Sequence, residues 1–296
     1  MDRSKKILLA TLATFVLLAA GGCGGERAGR APVLRFSAIP DDNTTELNRK
    51  FAPVATYLAE NLGVAVKYVP SSDYGASVEM FKNDDIQLAW FGGLTGVQAR
   101  QAVPGAHAVV QGAEDPAFYS YFIANVSSGL EPSAAFPVAI ADHPFTFGSP
   151  RSTSGRLMPE YFIRRHGGKS PREFFRLPFG FSGSHDKTIE AVASGAYEVG
   201  AVSHTTFDAW AAAGRVDTSK VRVIWRTPVY ADYNFTVRPG LDATFGEGFT
   251  ERLREALLAM SDPKLLRAFR RSALIPADDA EYAAILDVAR KLRMAR

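Results

Sequence analysis

The sequence contains a single cysteine, Cys23, which follows an apolar N-terminal stretch. A lone cysteine excludes a disulfide within the chain, and no cysteine–histidine spacing typical of a metal site is present. The formal charge of +3 falls to about +1 without the charged residues of the extreme N-terminus, and no aromatic–basic repeat occurs. We therefore expect no metal, no cofactor and no nucleic-acid partner.

Long hydrophobic runs are also absent after the N-terminal stretch, so no later segment is expected to span a bilayer. Residues 1–22 combine basic residues, the apolar run Ile7–Ala20 and a small-residue end, which predicts an export signal. The small residues before Cys23 resemble a bacterial lipobox, in which this cysteine is acylated. The alternative is a plain secretory leader that is cleaved a few residues later. With residues 23–32 as a tether, we expect a protein anchored through lipidated Cys23 on the periplasmic or extracellular face of a membrane.

Strand-like and helix-like patterns alternate from residue 33 onward, which favours an α/β fold with largely parallel sheets. Two such units are connected by two strand-like segments, Tyr119–Val126 and Tyr233–Val237. The pattern predicts a bilobal protein with a cleft between its lobes. We assign residues 33–120 and 237–296 to lobe one and residues 121–236 to lobe two. In the tail, helices are expected over Glu247–Met260, Pro263–Ser272 and Asp279–Arg293.

Polar residues follow several predicted strands at the points where helices begin. They are Asp73-Tyr74, Phe91-Gly92-Gly93, Ser152-Thr153-Ser154 and Gly183-Ser184-His185-Asp186. Ligands of open α/β sheets bind at such junctions, although each junction is also explained by ordinary helix capping. His185 is expected to be neutral, because a helix N-terminus disfavours its charged form.

The stretch Ser152–Gly155 offers three hydroxyls and a flexible glycine before a helix that we expect to open at Arg156. This arrangement suits a small anion, because the first turn of a helix leaves N–H groups unpaired. Pro159 is expected to bend the helix and to leave the Gly155 carbonyl unpaired. The anion-binding turn would then be set off from the helix behind it.

Six segments occur in an order that resembles a known family: FSAIP, DYGAS, LAWFGG, STSG, FSGSHD and TPVYADY. They are similar to the substrate-binding proteins of phosphonate/phosphite-type ABC importers. Similar lipoproteins with an LTGVQAR segment are labelled as binding selenate or related oxyanions. The resemblance implies the type II periplasmic binding fold, with two α/β lobes joined by two crossover strands.

The resemblance also implies a ligand site, residue by residue. Its donors would be the phenol of Tyr74, the hydroxyls of Ser152, Thr153 and Ser154, and His185, with Asp232 on the hinge side. Phe91 stands where the family often has tyrosine, so one hydroxyl is lost. Residues 203–206 lack the glutamate that aminoalkyl-phosphonate binders carry, which argues against 2-aminoethylphosphonate.

The resemblance implies a monomeric extracytoplasmic receptor that passes a small oxyanion to an ABC permease. An ionised Asp232 beside the ligand would favour a protonated phosphorus oxyanion over selenate, unless Arg151 or another cation neutralises it. The alternatives are a selenate-type binding protein, a sensor domain, or a hydrolase using Ser152 or Ser154 with His185 and Asp232. The hydrolase lacks the G-x-S-x-G elbow, and we do not expect an enzyme.

Overall fold

The computed structural model describes residues 31–41 and 44–296, and residues 32–296 form one compact unit. The predicted signal peptide, the lipidation site Cys23 and the tether up to residue 30 lie outside the described residues. Within the described residues, no helix has the length and apolar character needed to cross a membrane.

Strands and helices alternate along the chain, as the sequence predicts. The first elements are β1 (Val33–Ala38), α1 (Thr44–Leu62), β2 (Ala65–Tyr68), α2 (Tyr74–Lys82), β3 (Leu88–Phe91), α3 (Gly93–Ala102) and β4 (His107–Gly112). The next are β5 (Ser120–Asn125), β6 (Phe145–Phe147), α4 (Met158–Gly167), α5 (Pro171–Phe174), β7 (Gly180–Phe181), α6 (His185–Ala193), β8 (Val199–Ser203), α7 (His204–Ala212) and β9 (Val221–Arg226). The last are β10 (Asn234–Val237), α8 (Leu241–Phe245), α9 (Phe249–Leu258), α10 (Pro263–Phe269), β11 (Leu274–Pro276) and α11 (Ala283–Lys291).

Hydrophobic spacing explains why these elements pack as they do. The stripe predicted along α1 is buried at every position: Leu47, Phe51, Val54, Leu58 and Leu62. Fully burying one such side chain contributes roughly 1.5–3 kcal/mol, so this face fixes the helix against the sheet. All four side chains of β3 are buried, which is expected for a strand covered on both faces.

The strands form two sheets, one in each lobe. The first has the order β11-β4-β10-β3-β1-β2, and the second has the order β7-β6-β8-β5-β9. In each sheet the strand next to a crossover runs antiparallel to its neighbours: β10 lies between β3 and β4, and β5 lies between β8 and β9. The sheets are therefore mixed, and β10 lies wholly in the first sheet.

Two short connections join the lobes, and we call residues 113–119 the first crossover and residues 227–233 the second crossover. They pair with each other where Phe118 and Tyr230 exchange backbone hydrogen bonds of 2.9 and 2.8 Å. The segments predicted as bridging strands, Tyr119–Val126 and Tyr233–Val237, thus supply β5 and β10 just beyond these connections. Both crossovers run side by side, which is the arrangement of a bilobal, hinged fold.

The strand β11 was not predicted and lies between the expected helices Pro263–Ser272 and Asp279–Arg293. This strand is three residues long and pairs with β4 at the edge of the first sheet. Pro276 is tolerated there because an edge strand leaves one row of backbone donors without a neighbour. So short a strand carries almost no periodic signal.

Candidate ligand-binding site

Residues Thr153–Leu157 form one turn of π-helix before α4, with Ser152 as its N-cap. The Ser152 hydroxyl accepts a hydrogen bond from the Gly155 N–H at 2.9 Å. Thr153 and Ser154 are buried, so their hydroxyls face the protein interior. Single π-helical turns are frequent at functional sites. The stretch is therefore a capped helix start that also presents two buried hydroxyls.

Pro159 lies in the first turn of α4, where a missing N–H costs no helical hydrogen bond. The helix begins at Met158, not at the predicted Arg156, and it continues directly from the turn, because Leu157 and Met158 both have right-handed helical backbone angles. The prediction of an unpaired Gly155 carbonyl is wrong, because Gly148 N donates to it at 2.8 Å. A Cβ at Gly155 would lie 3.0 Å from Ser152 Oγ and 3.2 Å from His185 Cε1, so glycine allows this close approach.

Thr153 connects the two lobes. Its Oγ1 accepts a hydrogen bond from Leu94 N, at the start of α3, at 3.0 Å. Its hydroxyl also stabilises the Asp232 carboxylate. A Cβ at Gly92 would lie 3.1 Å from Thr153 Oγ1 and 3.2 Å from Asp232 Oδ1, so the lobes approach this closely because residue 92 has no side chain.

His185 begins α6 and is fully buried. Burial lowers the pKa of its imidazole to about 4, so the ring is neutral near pH 7. Ser203 N donates to Nδ1 at 3.4 Å, which leaves Nε2 as the protonated nitrogen. Nε2 lies 3.3 Å from Ser154 Oγ. The ring is thus a neutral donor directed toward the hydroxyl turn, and burial is the main reason for its neutrality.

Asp232 lies on the second crossover and is also buried. Its Oδ1 accepts a hydrogen bond from Gly93 N at 2.8 Å, whereas Oδ2 has no hydrogen-bond partner among the described residues. Burial raises the pKa of this carboxyl to about 7, against the stabilising effects of Gly93 N and Thr153. The carboxyl therefore changes its protonation state near neutral pH.

Tyr74 occupies the first position of α2, behind the N-cap Asp73, whose carboxylate accepts from Gly75 N and Ala76 N. The Tyr74 hydroxyl faces Ser152 and is buried, with no hydrogen-bond partner in the described part of the chain. Burial, and then the negative charges of Asp41 and Asp232, raise its pKa well above the usual value. It is therefore a neutral phenol with a proton to donate.

Two residues that the sequence places near the ligand, Phe91 and Arg151, have their side chains elsewhere. Phe91 is fully buried, and its ring packs edge-on against Phe81 at 5.5 Å between centroids, in the core between β3 and α2. Arg151, considered as a counter-ion for Asp232, instead lies against the start of α2, where its guanidinium carbon would be 3.2 Å from a Cβ at Gly75. Among the ion pairs of the described residues, none joins Arg151 to Asp232.

A second layer of hydroxyls supports the turn from behind. Ser120 Oγ donates to the Ser154 carbonyl at 2.7 Å, so the Tyr230 hydroxyl, 2.6 Å away, donates to Ser120. These two residues were not singled out from the sequence. Ser120 begins β5, and no sequence pattern marks it. Tyr230 belongs to the segment TPVYADY, and this is the only indication of its role in the sequence.

The same geometry does not form a hydrolase triad. His185 Nδ1 accepts from a backbone N–H, and Asp232 Oδ1 accepts from Gly93 N rather than from His185. Across the described residues, no group of three or more His, Cys, Asp or Glu side chains could hold a metal ion. What the site offers is neutral donors and one titrating carboxyl between two lobes.

Two α/β lobes, joined by paired crossovers and enclosing a cluster of buried polar donors, define a binding protein for a small polar ligand. Residues 36–282 match the family model described as ABC transporter, phosphonate, periplasmic substrate-binding protein. The chain belongs to this family: it is a periplasmic substrate-binding component of an ABC transporter and not an enzyme.

Relatives agree with this membership. The chain is 37% identical over 271 residues to the probable ABC transporter phosphite binding protein PhnD1 of Prochlorococcus marinus, covering 89% of this chain and 91% of the relative. It is 26% identical to the phosphate-import protein PhnD of Mycolicibacterium smegmatis, covering 79% and 77% of the two chains. The structure of Prochlorococcus marinus PhnD1 in complex with methylphosphonate superposes with a TM-score of 0.82 at 36% identity, covering 88% and 98%.

Proposed function

We propose that this protein captures a singly protonated phosphorus oxyanion, namely phosphite, phosphate or a small phosphonate, between its lobes and delivers it to an ABC permease. The observation that carries the proposal is the buried Asp232 carboxyl, whose Oδ2 lacks a hydrogen-bond partner within the described residues. It stands next to a set of neutral donors. The similarity to a phosphite binding protein and to a methylphosphonate complex supports the same class of ligand.

The donors suit an oxyanion because each carries a proton and none carries a charge. They are the hydroxyls of Tyr74 and Ser154 and the Nε2–H of His185. Hydrogen bonds to a charged acceptor are shorter and roughly twice as strong as neutral ones. A buried oxyanion needs such bonds, because an unpaired charge away from water is very costly.

Asp232 sets the proton count of the complex. Two ionised oxygens facing each other would repel, so one proton must lie between Asp232 and the nearest ligand oxygen. A phosphorus oxyanion supplies this proton at and below about pH 6, where phosphoryl groups have their second pKa. The carboxyl can also supply it, because its own pKa is raised to about 7. Both routes give the same complex.

Selenate and sulfate are the alternative ligands, and they carry no proton near pH 7. They would rely on protonated Asp232 alone, and their binding should therefore weaken as the pH rises above about 7. A phosphoryl oxygen, whose pKa of about 6 is close to that of the carboxyl, shares a proton with Asp232, whereas a fully ionised oxyanion does not. This comparison favours phosphorus oxyanions.

Aminoalkyl phosphonates are disfavoured on local grounds. Ser203 caps α7 and accepts from Thr206 N at 3.3 Å, and the neighbouring His204 stacks on Tyr119 with ring centroids 3.8 Å apart. Burial lowers the pKa of His204 to about 4. This region thus offers an amine no carboxylate at positions 203–206.

The predicted lipid anchor at Cys23 fits the same role, because a tethered receptor stays close to its permease. A Cys23→Ala variant expressed in a bacterial host should not incorporate labelled palmitate, whereas the wild-type protein should. Absence of label in the wild-type protein, or equal labelling of both, would refute the anchor.

Titration calorimetry at about pH 7 tests the ligand class with phosphite, phosphate, methylphosphonate, sulfate and selenate. We expect at least one phosphorus oxyanion to bind at least about tenfold more tightly than selenate, or roughly 1.4 kcal/mol. Selenate as the tightest ligand would contradict the proposal. Absence of binding by all five would place the substrate outside this class.

A further inference from the structure

Asp115 and Arg271 form an ion pair that is removed from solvent, with side-chain exposures of 0% and 1%. Arg271 Nε donates to Asp115 Oδ2 at 2.7 Å, and Nη2 donates to Oδ1 at 2.6 Å. This two-point contact fixes both the distance and the plane of the two groups. Neither residue belongs to the donors described above.

The pair lies where the two crossovers meet lobe one. Asp115 belongs to the first crossover, and its carboxylate also accepts from Gly112 N at 2.8 Å and from Tyr233 N at 3.1 Å. Its backbone carbonyl accepts from Asp232 N at 3.1 Å. One residue thus binds the end of β4, the second crossover and the backbone of Asp232.

Arg271 completes this arrangement from the residues that follow α10. Its Nη1 donates to the Phe269 carbonyl at 2.8 Å, and its guanidinium lies 4.8 Å from the centre of the Tyr233 ring. A Cβ at Gly112 would lie 2.4 Å from Arg271 side-chain carbons, so β4 must end in glycine here. The pair is therefore packed closely against the end of β4 and against Tyr233 of the second crossover.

The titratable and charged groups around Asp232 are mostly neutral at physiological pH. Burial raises the pKa of the nearby phenols and lowers that of the imidazole; they are Tyr74, Tyr230, Tyr233, Tyr282 and His185. Asp41, Arg270 and Asp186 act on Tyr74 or His185. Asp115 raises the pKa of Asp232 and Arg271 lowers it, so the two charges oppose each other there.

We propose that Asp115 and Arg271 are positioning residues for ligand binding, which hold Asp232 at the site and balance the charge that its carboxyl experiences. The inference rests on the proposed function, in which Asp232 and the ligand share one proton. The two residues act through Asp232 and touch no ligand themselves. They also join both crossovers to lobe one, so Asp232 stays with lobe one when the cleft opens.

Opposite charge changes provide the test, with methylphosphonate titrated calorimetrically into the full chain between about pH 5 and pH 9. Affinity should be highest midway between the pKa values of Asp232 and the ligand, because the complex holds one proton. Asp115→Asn removes a negative charge and should move the pH of tightest binding toward acid by about half a unit, for a pKa change of about one unit. Arg271→Met should move it toward alkali by a similar amount.

A purely structural role would weaken binding in both variants without opposite shifts. Shifts in the same direction, or none, in variants that still bind would overturn the inference. Failure of the wild-type protein to bind at any pH would overturn the proposed function instead.

Arg271→Lys covers the case in which the neutral variants do not fold, because it leaves no buried charge uncompensated. An ammonium group cannot reproduce the two-point contact, so the affinity for methylphosphonate should fall at least about tenfold while the pH of tightest binding stays unchanged. Wild-type affinity in this variant would overturn the positioning role.

Discussion

Leu94 donates its backbone N–H to Thr153 Oγ1 at 3.0 Å, which joins the first turn of α3 in lobe one to the hydroxyl turn of lobe two. The contact needs both a helix that begins at residue 93 and a glycine at residue 92. It connects the two walls of the site in a closed cleft. Closing of such lobes about their crossovers is a known mode of ligand capture.

Replacing Thr153 by valine should weaken methylphosphonate binding about tenfold or more, because the hydroxyl accepts from Leu94 N across the lobes and lowers the pKa of the Asp232 carboxyl. The measurement is calorimetric affinity at about pH 7. Thr146→Val is the matched control, since it removes an equally buried hydroxyl that donates to the Phe147 carbonyl in β6. Equal losses of affinity in both variants would contradict a specific role for Thr153.

Tyr74→Phe should lower affinity about tenfold without reducing the stability of the ligand-free protein. The hydroxyl is buried and lacks a partner within the described residues, so its removal relieves a desolvation cost. Thermal unfolding with and without ligand measures both effects. Tyr57→Phe is the control and should lower the stability without changing the affinity. It deletes a hydrogen bond of 2.8 Å to the Ala256 carbonyl, between α1 and α9. Unchanged affinity in Tyr74→Phe would remove this phenol from the site.

Gly92→Ala should weaken binding at least about tenfold, although its backbone φ of −75° is acceptable for alanine. The added methyl would press on Thr153 Oγ1 and Asp232 Oδ1, at 3.1 and 3.2 Å, and would hold the lobes apart. Small-angle scattering with saturating ligand should then show a more open protein than wild type. Full compaction and wild-type affinity would contradict the closed-cleft geometry.

Asp232→Asn should stabilise the ligand-free protein at alkaline pH. The folded-state pKa of Asp232, about 7, lies above the ordinary value of 3.8, so folding disfavours the ionised form. The free-energy cost of ionising this carboxyl in the folded protein grows as the pH rises above 3.8. It is complete above about pH 7, where it reaches a few kcal/mol at most. The amide lacks this cost, and the advantage of the variant in denaturant unfolding should therefore vanish near pH 4. A pH-independent difference would show that the carboxyl is not shifted.

The order of elements and the site junctions could be predicted from the sequence, because both rest on local patterns. The stripe of α1 and the cap at Asp73 are examples, since neighbouring residues alone determine them. The sequence also predicts that His185 is neutral, but it points to the helix N-terminus as the cause, whereas the main cause is burial.

Features that depend on contacts between distant segments could not be predicted. The Gly155 carbonyl finds its donor at Gly148, and β11 exists only because β4 offers an edge. Asp115 and Arg271 are separated by more than half of the chain, and nothing near either residue indicates a partner. Their pairing follows from the packing of the crossovers.

Proton uptake on binding tests the central claim most directly. At about pH 9, Asp232 and a phosphorus oxyanion are both ionised in the free state, since their pKa values are about 7 and roughly 6. Calorimetry with methylphosphonate in buffers of different ionisation enthalpy should then show uptake of about one proton per complex in wild type and none in Asp232→Asn. Binding to wild type without proton uptake would contradict the shared proton and, with it, the role given to Asp232.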